Sequence, residues 1–213
     1  MGKIIFTTVL FLVFCGNIFP QNGKKLNDSD KQIFLQNLLE QSKKTKSLQC
    51  TMALEKTASD NGKTAMKGTM MYLSPSKLRW EYAAPTPATL IMNGNNAVVL
   101  DKNGEKTDDV KKLKQLGNFI MMMISGNGLM QQNKMFSSDL YELDNTQMFV
   151  VLTPVPKRMK DVFNKIELKI DRKTMLTDEI ILDEKSGDKT VILLKNKALN
   201  IEIPQSKFLI NKK

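Results

Sequence analysis

The chain has 213 residues, a formal net charge of +10 and no histidine. Without histidine, the sequence lacks the commonest general base and the commonest zinc ligand, which argues against a histidine-dependent enzyme and a zinc site. A basic balance is common among nucleic-acid-binding proteins, but these lysines are spread along the chain, as on a solvated surface. Hydrophobic residues make up 41% of the sequence, which is enough for a core, and 14 of them are methionines.

The N-terminal segment has the organisation of a secretory signal peptide. Lys3 precedes an apolar run from Ile4 to Phe14, and small and polar residues follow that run. We predict cleavage between Gly16 and Gln21, so that the signal peptide spans 1–21 and a single domain spans 22–213. An exported protein of this kind is expected in the periplasm, where nucleic acid is not an expected partner.

The two cysteines raise separate questions. Cys15 leaves open a lipid-modified N-terminus, although Phe14 stands where a small residue should precede such a cysteine. If Cys15 is removed with the signal peptide, Cys50 is alone and the mature fold rests on burial without a disulfide. Cys50 alternates with apolar residues, so we expect it to be buried and inert.

The first element after the signal peptide is predicted to be a helix over DSDKQIFLQNLLEQSKKTK. Ser29 is a candidate N-cap, with Gln32 in capping-box spacing. Helical periodicity predicts one apolar stripe, formed by Ile33, Phe34, Leu38 and Leu39.

After this helix the hydrophobic period changes to that of a strand. Alternation along three successive strands predicts which side chains share one face of the sheet. They are Leu48, Cys50, Met52 and Leu54 in the first strand, Met66, Gly68, Met70 and Tyr72 in the second, and Leu78, Trp80 and Tyr82 in the third. Turn residues separate the three strands. A further hairpin is predicted from ATLIM and AVVLD, which flank the turn Asn93-Gly94-Asn95.

A helical interval is predicted next, from Val110 to Asn133. Apolar residues fit helical spacing at Leu113, Leu116, Ile120, Met123 and Ile124. The apolar run from Phe119 to Ile124 is too short to cross a bilayer, which requires ~20 apolar residues, and glycines bound it on both sides. The protein's own core, a partner or an apolar ligand must therefore cover this run.

Strands resume in the C-terminal part of the chain. They are predicted over FSSDLYEL, QMFVVLTP, KIELKID, LTDEIILD, TVILLKN and a last segment FLI. In KIELKID, the alternation turns Ile166, Leu168 and Ile170 inward and Glu167 and Lys169 outward. The hairpin order predicts one α+β domain, in which helices cover one face of an antiparallel sheet of about ten strands.

The order of several short motifs in KGTMMYLSPSKLRWEYAAPTPATLIMNGNNAVVLD is characteristic. They are Gly68, Met71–Tyr72, Pro75, the strand with Leu78, Trp80 and Tyr82, then Pro85, Leu90–Met92 and Asn93–Gly94. The C-terminal half adds VLTP, KIELKID, the turn DEKSGDKT and IPQSKFLI. This pattern, which covers nearly all of the mature chain, resembles the LolA-like outer-membrane lipoprotein carrier family.

The resemblance implies an unclosed antiparallel β-barrel of about ten to eleven strands, with an α-helical lid over an apolar cavity. It implies a monomeric carrier without cofactor or metal, which takes acylated lipoproteins from an inner-membrane ABC-type transporter. The carrier shields their acyl chains across the periplasm and passes them to an outer-membrane acceptor.

Methionine is flexible and polarizable, so a methionine-rich wall suits a cargo that must later be released. On this ground and on the resemblance, the candidate cargo-binding residues of cavity and lid are Met52, Leu54, Met70, Tyr72, Leu78, Trp80, Tyr82, Leu90, Met92, Leu116, Phe119, Ile120, Met123 and Ile124.

One departure from the family pattern concerns the residue before Pro75. The well-studied members of the family carry there an arginine that is linked to lid closure and onward transfer, whereas this chain has Ser74. This departure leaves open a carrier of another lipid. An outer-membrane-anchored acceptor lipoprotein with the same fold also stays open, and a lipidated Cys15 would indicate it.

An enzyme is not expected. The carboxylate pairs of the sequence are adjacent along the chain, as in Asp178–Glu179 and Asp183–Glu184. Adjacent residues of a strand point to opposite faces, so such pairs do not share a site. The sequence also has no glycine-rich phosphate loop.

Overall fold

The computed structural model describes residues 23–84, 87–107, 114, 117–121, 124 and 135–210. The predicted signal peptide and Cys15 lie outside this part of the chain. The elements in chain order are β1 (Lys24–Lys25), α1 (Asp28–Lys44), β2 (Ser47–Thr57), β3 (Lys63–Leu73), β4 (Lys77–Ala84), β5 (Ala88–Asn93), β6 (Asn96–Leu100), β7 (Phe136–Glu142), β8 (Gln147–Pro154), α2 (Lys157–Lys160), β9 (Phe163–Asp171), β10 (Thr177–Glu184), β11 (Lys189–Leu199) and a 3-10 helix (Gln205–Phe208). Residues 114, 117–121 and 124 are also helical, and we call them the central segment.

All strands of the described residues belong to one eleven-stranded antiparallel sheet. Its order is β1-β7-β8-β9-β10-β11-β2-β3-β4-β5-β6. Most neighbours are joined as hairpins, but β11 pairs with β2 and β1 pairs with β7 across long stretches of sequence. The order begins at β1 and ends at β6, so the barrel is not closed. The predicted unclosed antiparallel sheet with accompanying helices is confirmed.

The chain between β6 and β7 connects opposite ends of this sheet. It leaves the edge strand β6 and re-enters at β7, which lies beside the other edge strand. A connection of this kind must cross the sheet, and the central segment, which belongs to it, lies on one face. The buried residues of α1 belong to the same core cluster as those of the central segment, so both helices cover the same face. We call it the helix-covered face.

Helix α1 begins at Asp28, as predicted, but its N-cap lies two residues before the predicted one. The N-cap is Asn27, whose side-chain oxygen accepts a hydrogen bond from the backbone N–H of Asp30 at 2.9 Å. Ser29 therefore lies inside the first turn, and the prediction of Ser29 as N-cap was wrong. Acidic residues in the first turn and Lys43 and Lys44 in the last turn complement the helix dipole.

The buried stripe of α1 also differs from the prediction. Phe34, Leu35 and Leu38 are buried, whereas Ile33 is 58% exposed. A helix turns through ~100° per residue, so Phe34, Leu35 and Leu38 share one side and Ile33 falls on the opposite side. Because the core lies on the Leu35 side, Leu35 replaces Ile33 in the stripe.

The strand alternations predicted from the sequence produce continuous rows of apolar side chains. One row crosses the helix-covered face at paired positions on six neighbouring strands: Leu54, Ile192, Ile180, Leu168, Val150 and Leu140. Each of these residues is at most 4% exposed. Full burial of such a side chain stabilises the fold by ~1.5–3 kcal/mol, so rows of this kind hold the sheet and the helices together.

The opposite face is less polar than the alternation suggests. Glu167, which was predicted to point to solvent, is only 4% exposed. Its neighbours across the sheet are Val151 and Ile181, and its carboxylate forms an ion pair with Lys165 Nζ at 2.5 Å. The prediction of an exposed Glu167 was therefore wrong, because its position at the centre of a wide sheet shields it from water.

The C-terminal segment corrects one further prediction. FLI was expected to form a last strand, but Gln205–Phe208 form a 3-10 helix, and residues 209 and 210 belong to no strand. The backbone carbonyl of Phe208 accepts a hydrogen bond from the Asn93 side chain at 3.3 Å. Phe208 is fully buried, so this segment packs against the sheet without extending it.

Candidate functional site

Most of the predicted cargo-binding residues lie together in one apolar interior between the sheet and the helices. The core cluster contains Met52, Leu54, Met70, Tyr72, Leu78, Trp80, Tyr82, Leu90, Met92, Phe119 and Ile120, and Ile124 is partly buried against it. Leu116 and Met123 lie outside the described residues. The structure thus brings the described residues of the prediction together, and their role in binding cargo stays a prediction.

The central segment makes its closest approach to the sheet at Gly117. A Cβ atom at this glycine would lie 2.5 Å from Met92 Sδ, 3.0 Å from Leu90 Cδ2 and 3.2 Å from Leu78 Cδ2. Only a residue without a side chain lets the helix backbone come this close. The central segment therefore rests directly on β4 and β5, with no gap at this point.

Two apolar side chains next to Gly117 seal the same contact. Ile120 is fully buried and Phe119 is 7% exposed. The ring of Phe119 meets the ring of Phe136 edge-on, with the centroids 6.3 Å apart. Phe136 is the first residue of strand β7. The central segment therefore contacts β7 in one half of the sheet as well as β4 and β5 in the other.

Around Gly117, side chains of the described residues fill the interior between the central segment and the sheet. Within the described part of the chain, a pocket of about 30 Å³ lies between α1, the central segment and strands β9 to β11. One buried water needs ~10–15 Å³ of such space, so this pocket has room for two or three waters and not for a long acyl chain. Its lining includes Leu38, Thr45, Ile124, Leu194 and Lys197.

Methionine contributes much of the interior wall. Met52, Met70, Met92 and Met148 are each at most 4% exposed. Further methionines pack at the edge of the same cluster, namely Met66, Met121, Met135, Met159 and Met175. Unbranched thioether side chains change rotamer easily, so this wall can repack around a different shape.

The interior also contains two hydrogen-bond donors on neighbouring aromatic rings. Trp80 and Tyr82 stack with their centroids 5.5 Å apart and an interplanar angle of 26°. Among the described residues, neither Trp80 Nε1 nor the Tyr82 hydroxyl has a hydrogen-bond partner. Burial raises the pKa of Tyr82, so its hydroxyl keeps its proton and remains a donor at physiological pH.

Other chemistry in the described residues is sparse. No group of three or more Cys, Asp and Glu side chains in them is arranged to hold a metal ion. Cys50 is 2% exposed, as predicted, and its thiol is free in the described structure. Burial raises the pKa of its thiol to about 12, which leaves the nucleophilic thiolate scarce at neutral pH.

Several residues of this interior were not among the candidates that the sequence analysis selected. They include Phe34, Leu35 and Leu38 of α1 and Phe136 and Met148 of the C-terminal half. Their alternation and helical spacing were visible, but the sequence does not reveal that β11 pairs with β2 and thereby joins both halves into one wall. Gly117 carried a readable signal, since a glycine within an apolar helical pattern often marks a close approach.

A family comparison agrees with this geometry. The family model described as "Outer membrane lipoprotein carrier protein LolA" matches residues 34–211. The chain belongs to the LolA family. No curated protein matches the chain by sequence.

Solved structures with the same fold share little sequence with this LolA-family chain. The crystal structure of MucB covers 87% of this chain and 64% of its own length, at 11% identity and a TM-score of 0.52. The Pseudomonas aeruginosa MucA/MucB complex gives 12% identity, coverage of 85% and 61%, and a TM-score of 0.50. The LolA superfamily protein NE2245 from Nitrosomonas europaea gives 14% identity, coverage of 83% and 97%, and a TM-score of 0.47. The chain therefore spans less than two thirds of MucB.

Ser74 lies at the turn between β3 and β4, near the end of α1. It is exposed, and its backbone N–H donates to the carbonyl oxygen of Lys46 at 2.8 Å. The hydroxyl of Tyr72 donates to the neighbouring Pro75 carbonyl at 3.4 Å. Separately, no helix in the described ranges has the length and apolar character that a membrane span needs.

Proposed function

We propose that this protein is a periplasmic carrier that binds the acyl chains of lipoproteins noncovalently and delivers them toward the outer membrane. In this proposal α1 and the central segment open, the chains enter the interior, and a partner with a stronger grip removes them. The protein acts as a monomer, uses neither cofactor nor metal and performs no enzymatic reaction.

The observation that carries the proposal is the construction of the interior. In the described ranges, helices lie across one apolar face of an open sheet, and methionines line the wall beneath them. An acyl chain gains roughly 0.8 kcal/mol per buried CH₂, so any apolar space that opens under these helices attracts such chains. Residues with easily changed rotamers let that space take its shape from the cargo.

The partners follow from membership of the family and stay proposals for this chain. Cargo is received from an inner-membrane ABC-type lipoprotein-releasing transporter and passed to an outer-membrane acceptor. Basic surface residues are suited to contact anionic lipid or an acidic transporter surface.

Native mass spectrometry of the protein purified from its own periplasm tests the cargo. The expected result is a mass that corresponds to a bound lipoprotein or its acyl groups. A different lipid would support the alternative that Ser74 suggests, and a lipidated Cys15 at the mature N-terminus would identify an anchored acceptor instead of a carrier.

A reversible lock tests the opening of the helices. In a Cys50→Ala background, Met92→Cys and Gly117→Cys place two cysteines where the central segment touches the sheet, and loss of free thiol on oxidation verifies that they form a disulfide. The oxidised protein should not bind a fluorescent acyl-chain dye, and the same protein should bind it after reduction.

The reduced form of the same variant is the matched control, because it carries identical substitutions. Dye binding that is equal in both forms would show that cargo enters without movement of the central segment. If the unsubstituted protein does not bind the dye, even after detergent extraction, the carrier proposal fails.

A further inference from the structure

Trp80 and Tyr82 bury two hydrogen-bond donors on the helix-covered face without an acceptor. Their side chains are 1% and 6% exposed. In the part of the chain that the structure describes, Trp80 Nε1 and the Tyr82 hydroxyl are both unpaired. Buried polar groups are nearly always hydrogen-bonded, and an unpaired one destabilises the fold. Two such donors on stacked rings indicate an acceptor that the described residues do not supply.

The two donors lie on the same side of one strand. They are two residues apart on β4, and their rings stack at 5.5 Å. The Cα partners of Tyr82 on the neighbouring strands are Gly68 and Ala88, which carry no side chain and a single methyl group. The two flanking positions of Tyr82 thus contribute little side chain of their own, although Met52 Cε reaches the space above Gly68. Trp80, in contrast, is flanked by Met70 and Leu90.

We propose that Trp80 Nε1 and the Tyr82 hydroxyl form a subsite for the carbonyl oxygen that links an acyl chain to its head group. This inference rests on the proposed carrier function. The alkyl part of a lipid has no hydrogen-bonding group, so the ester or amide carbonyl is the acceptor that an acyl chain brings into an apolar interior. A neutral carbonyl suits the site better than a carboxylate, because a buried charge would need a positive partner.

The test compares two lipids that differ only in this carbonyl. Dioctanoylglycerol carries two ester carbonyls, and the corresponding dioctyl ether has the same chains without them. A purely apolar interior would favour the ether, since burial of an unpaired carbonyl is unfavourable. With paired donors, the ester should bind about tenfold more tightly than the ether. Displacement of a fluorescent acyl-chain dye measures both affinities, and the emission of Trp80, the single tryptophan, reports occupancy directly.

Three variants assign the preference to the donors. Tyr82→Phe removes one hydroxyl without changing the ring, and Trp80→Phe removes the indole N–H. Each should reduce the ratio of ester to ether affinity by about three- to tenfold. Tyr141→Phe is the matched control, because Tyr141 contacts Phe149 away from the helix-covered core and its hydroxyl should not affect the ratio.

The outcomes separate the inference from the proposed function. If both lipids bind the unsubstituted protein equally, or the ether binds better, the carbonyl subsite is wrong while the carrier function stands. A preference for the ester that survives in both Tyr82→Phe and Trp80→Phe also overturns the assignment. If neither lipid and no acyl dye binds, the carrier function fails and the inference fails with it. Since Tyr82→Phe removes only an unpaired polar atom, it should fold, and circular dichroism verifies this.

Discussion

Gly117→Ala should increase the affinity of this protein for acyl chains. The added methyl group would lie 2.5 Å from Met92 Sδ and 3.0 Å from Leu90 Cδ2. Non-bonded heavy atoms in contact normally stand ~3.5–4.0 Å apart, so the overlap with Met92 is about 1 Å or more. Either the methionine changes rotamer or the central segment moves away from the sheet.

The size of the effect follows from this overlap. Overpacking of a well-packed core costs ~1–3 kcal/mol. Alanine also stabilises a helix by ~1 kcal/mol relative to glycine, but this gain applies equally when the helix has left the sheet and therefore cancels. If the overlap affects only the closed form, the equilibrium shifts toward the open form by the full cost. The apparent Kd for an acyl probe should then fall by about 5- to 150-fold.

Asn118→Ala provides the matched control, since Asn118 is the exposed neighbour on the same helix. It makes a similar change in helix propensity without the overlap, so the Kd should not change. Titration with an acyl-chain dye gives the affinities, and urea unfolding gives the free energies of unfolding. A Gly117→Ala variant that loses stability but binds the dye no better than Asn118→Ala would refute the idea that the central segment gates the interior.

Three further substitutions test the fold. Glu167→Gln should lower the free energy of unfolding by about 1–3 kcal/mol, because the ion pair of Glu167 is largely buried. Asp161→Asn, which breaks an exposed ion pair, should lower it by about 0.5 kcal/mol or less. Equal losses in urea unfolding would contradict this reasoning. Gly68→Ala places a methyl group 1.9 Å from the backbone carbonyl oxygen of Glu81 and should lower the free energy of unfolding by about 3 kcal/mol. In Gly62→Ala, the methyl group lies 3.1 Å from a side-chain oxygen of Asp60, so the loss of stability should be smaller. The pKa of Asp171 is lowered because the backbone N–H and the hydroxyl of Thr174 both donate to its carboxylate. The stabilisation from a lowered folded-state pKa is fully present above the unfolded value of ~3.9, and it is lost as the pH falls through the folded-state value. Asp171→Asn should therefore be destabilising at neutral pH and nearly neutral near pH 2, and a difference independent of pH would count against it.

The strand content and much of the interior were predictable because alternation is a local property. Leu78, Trp80 and Tyr82 alternate with charged residues in KLRWEY, and the structure buries all three. The alternation failed at Glu167 because its exposure depends on the width of the sheet. Strand β9 has three strands on one side and seven on the other. No local pattern contains that information.

The closed state of the interior was the least predictable feature. Sequence patterns predict which residues are apolar, but whether facing side chains fill a space or surround one depends on distances between elements. Gly117 sets such a distance, since its missing side chain allows the helix to rest on Leu78, Leu90 and Met92. The predicted residues Phe119 and Ile120 thus occupy the space in which cargo was expected.

A filled interior sets a limit on how tightly cargo binds. Burial of Phe119 and Ile120 contributes ~3–6 kcal/mol, and that of Phe34, Leu35 and Leu38 contributes ~4.5–9 kcal/mol, at ~1.5–3 kcal/mol for each side chain. If both helices leave the sheet, as the proposed function requires, cargo must offset roughly 8–15 kcal/mol, which equals the burial of about ten to nineteen methylenes at 0.8 kcal/mol each. The free energy gained by burying one acyl chain then nearly equals the free energy lost when the helices leave the sheet. The net binding free energy therefore arises from the second and third chains. The closing helices compete with the cargo, and this competition lowers the affinity to a level at which an acceptor can remove it.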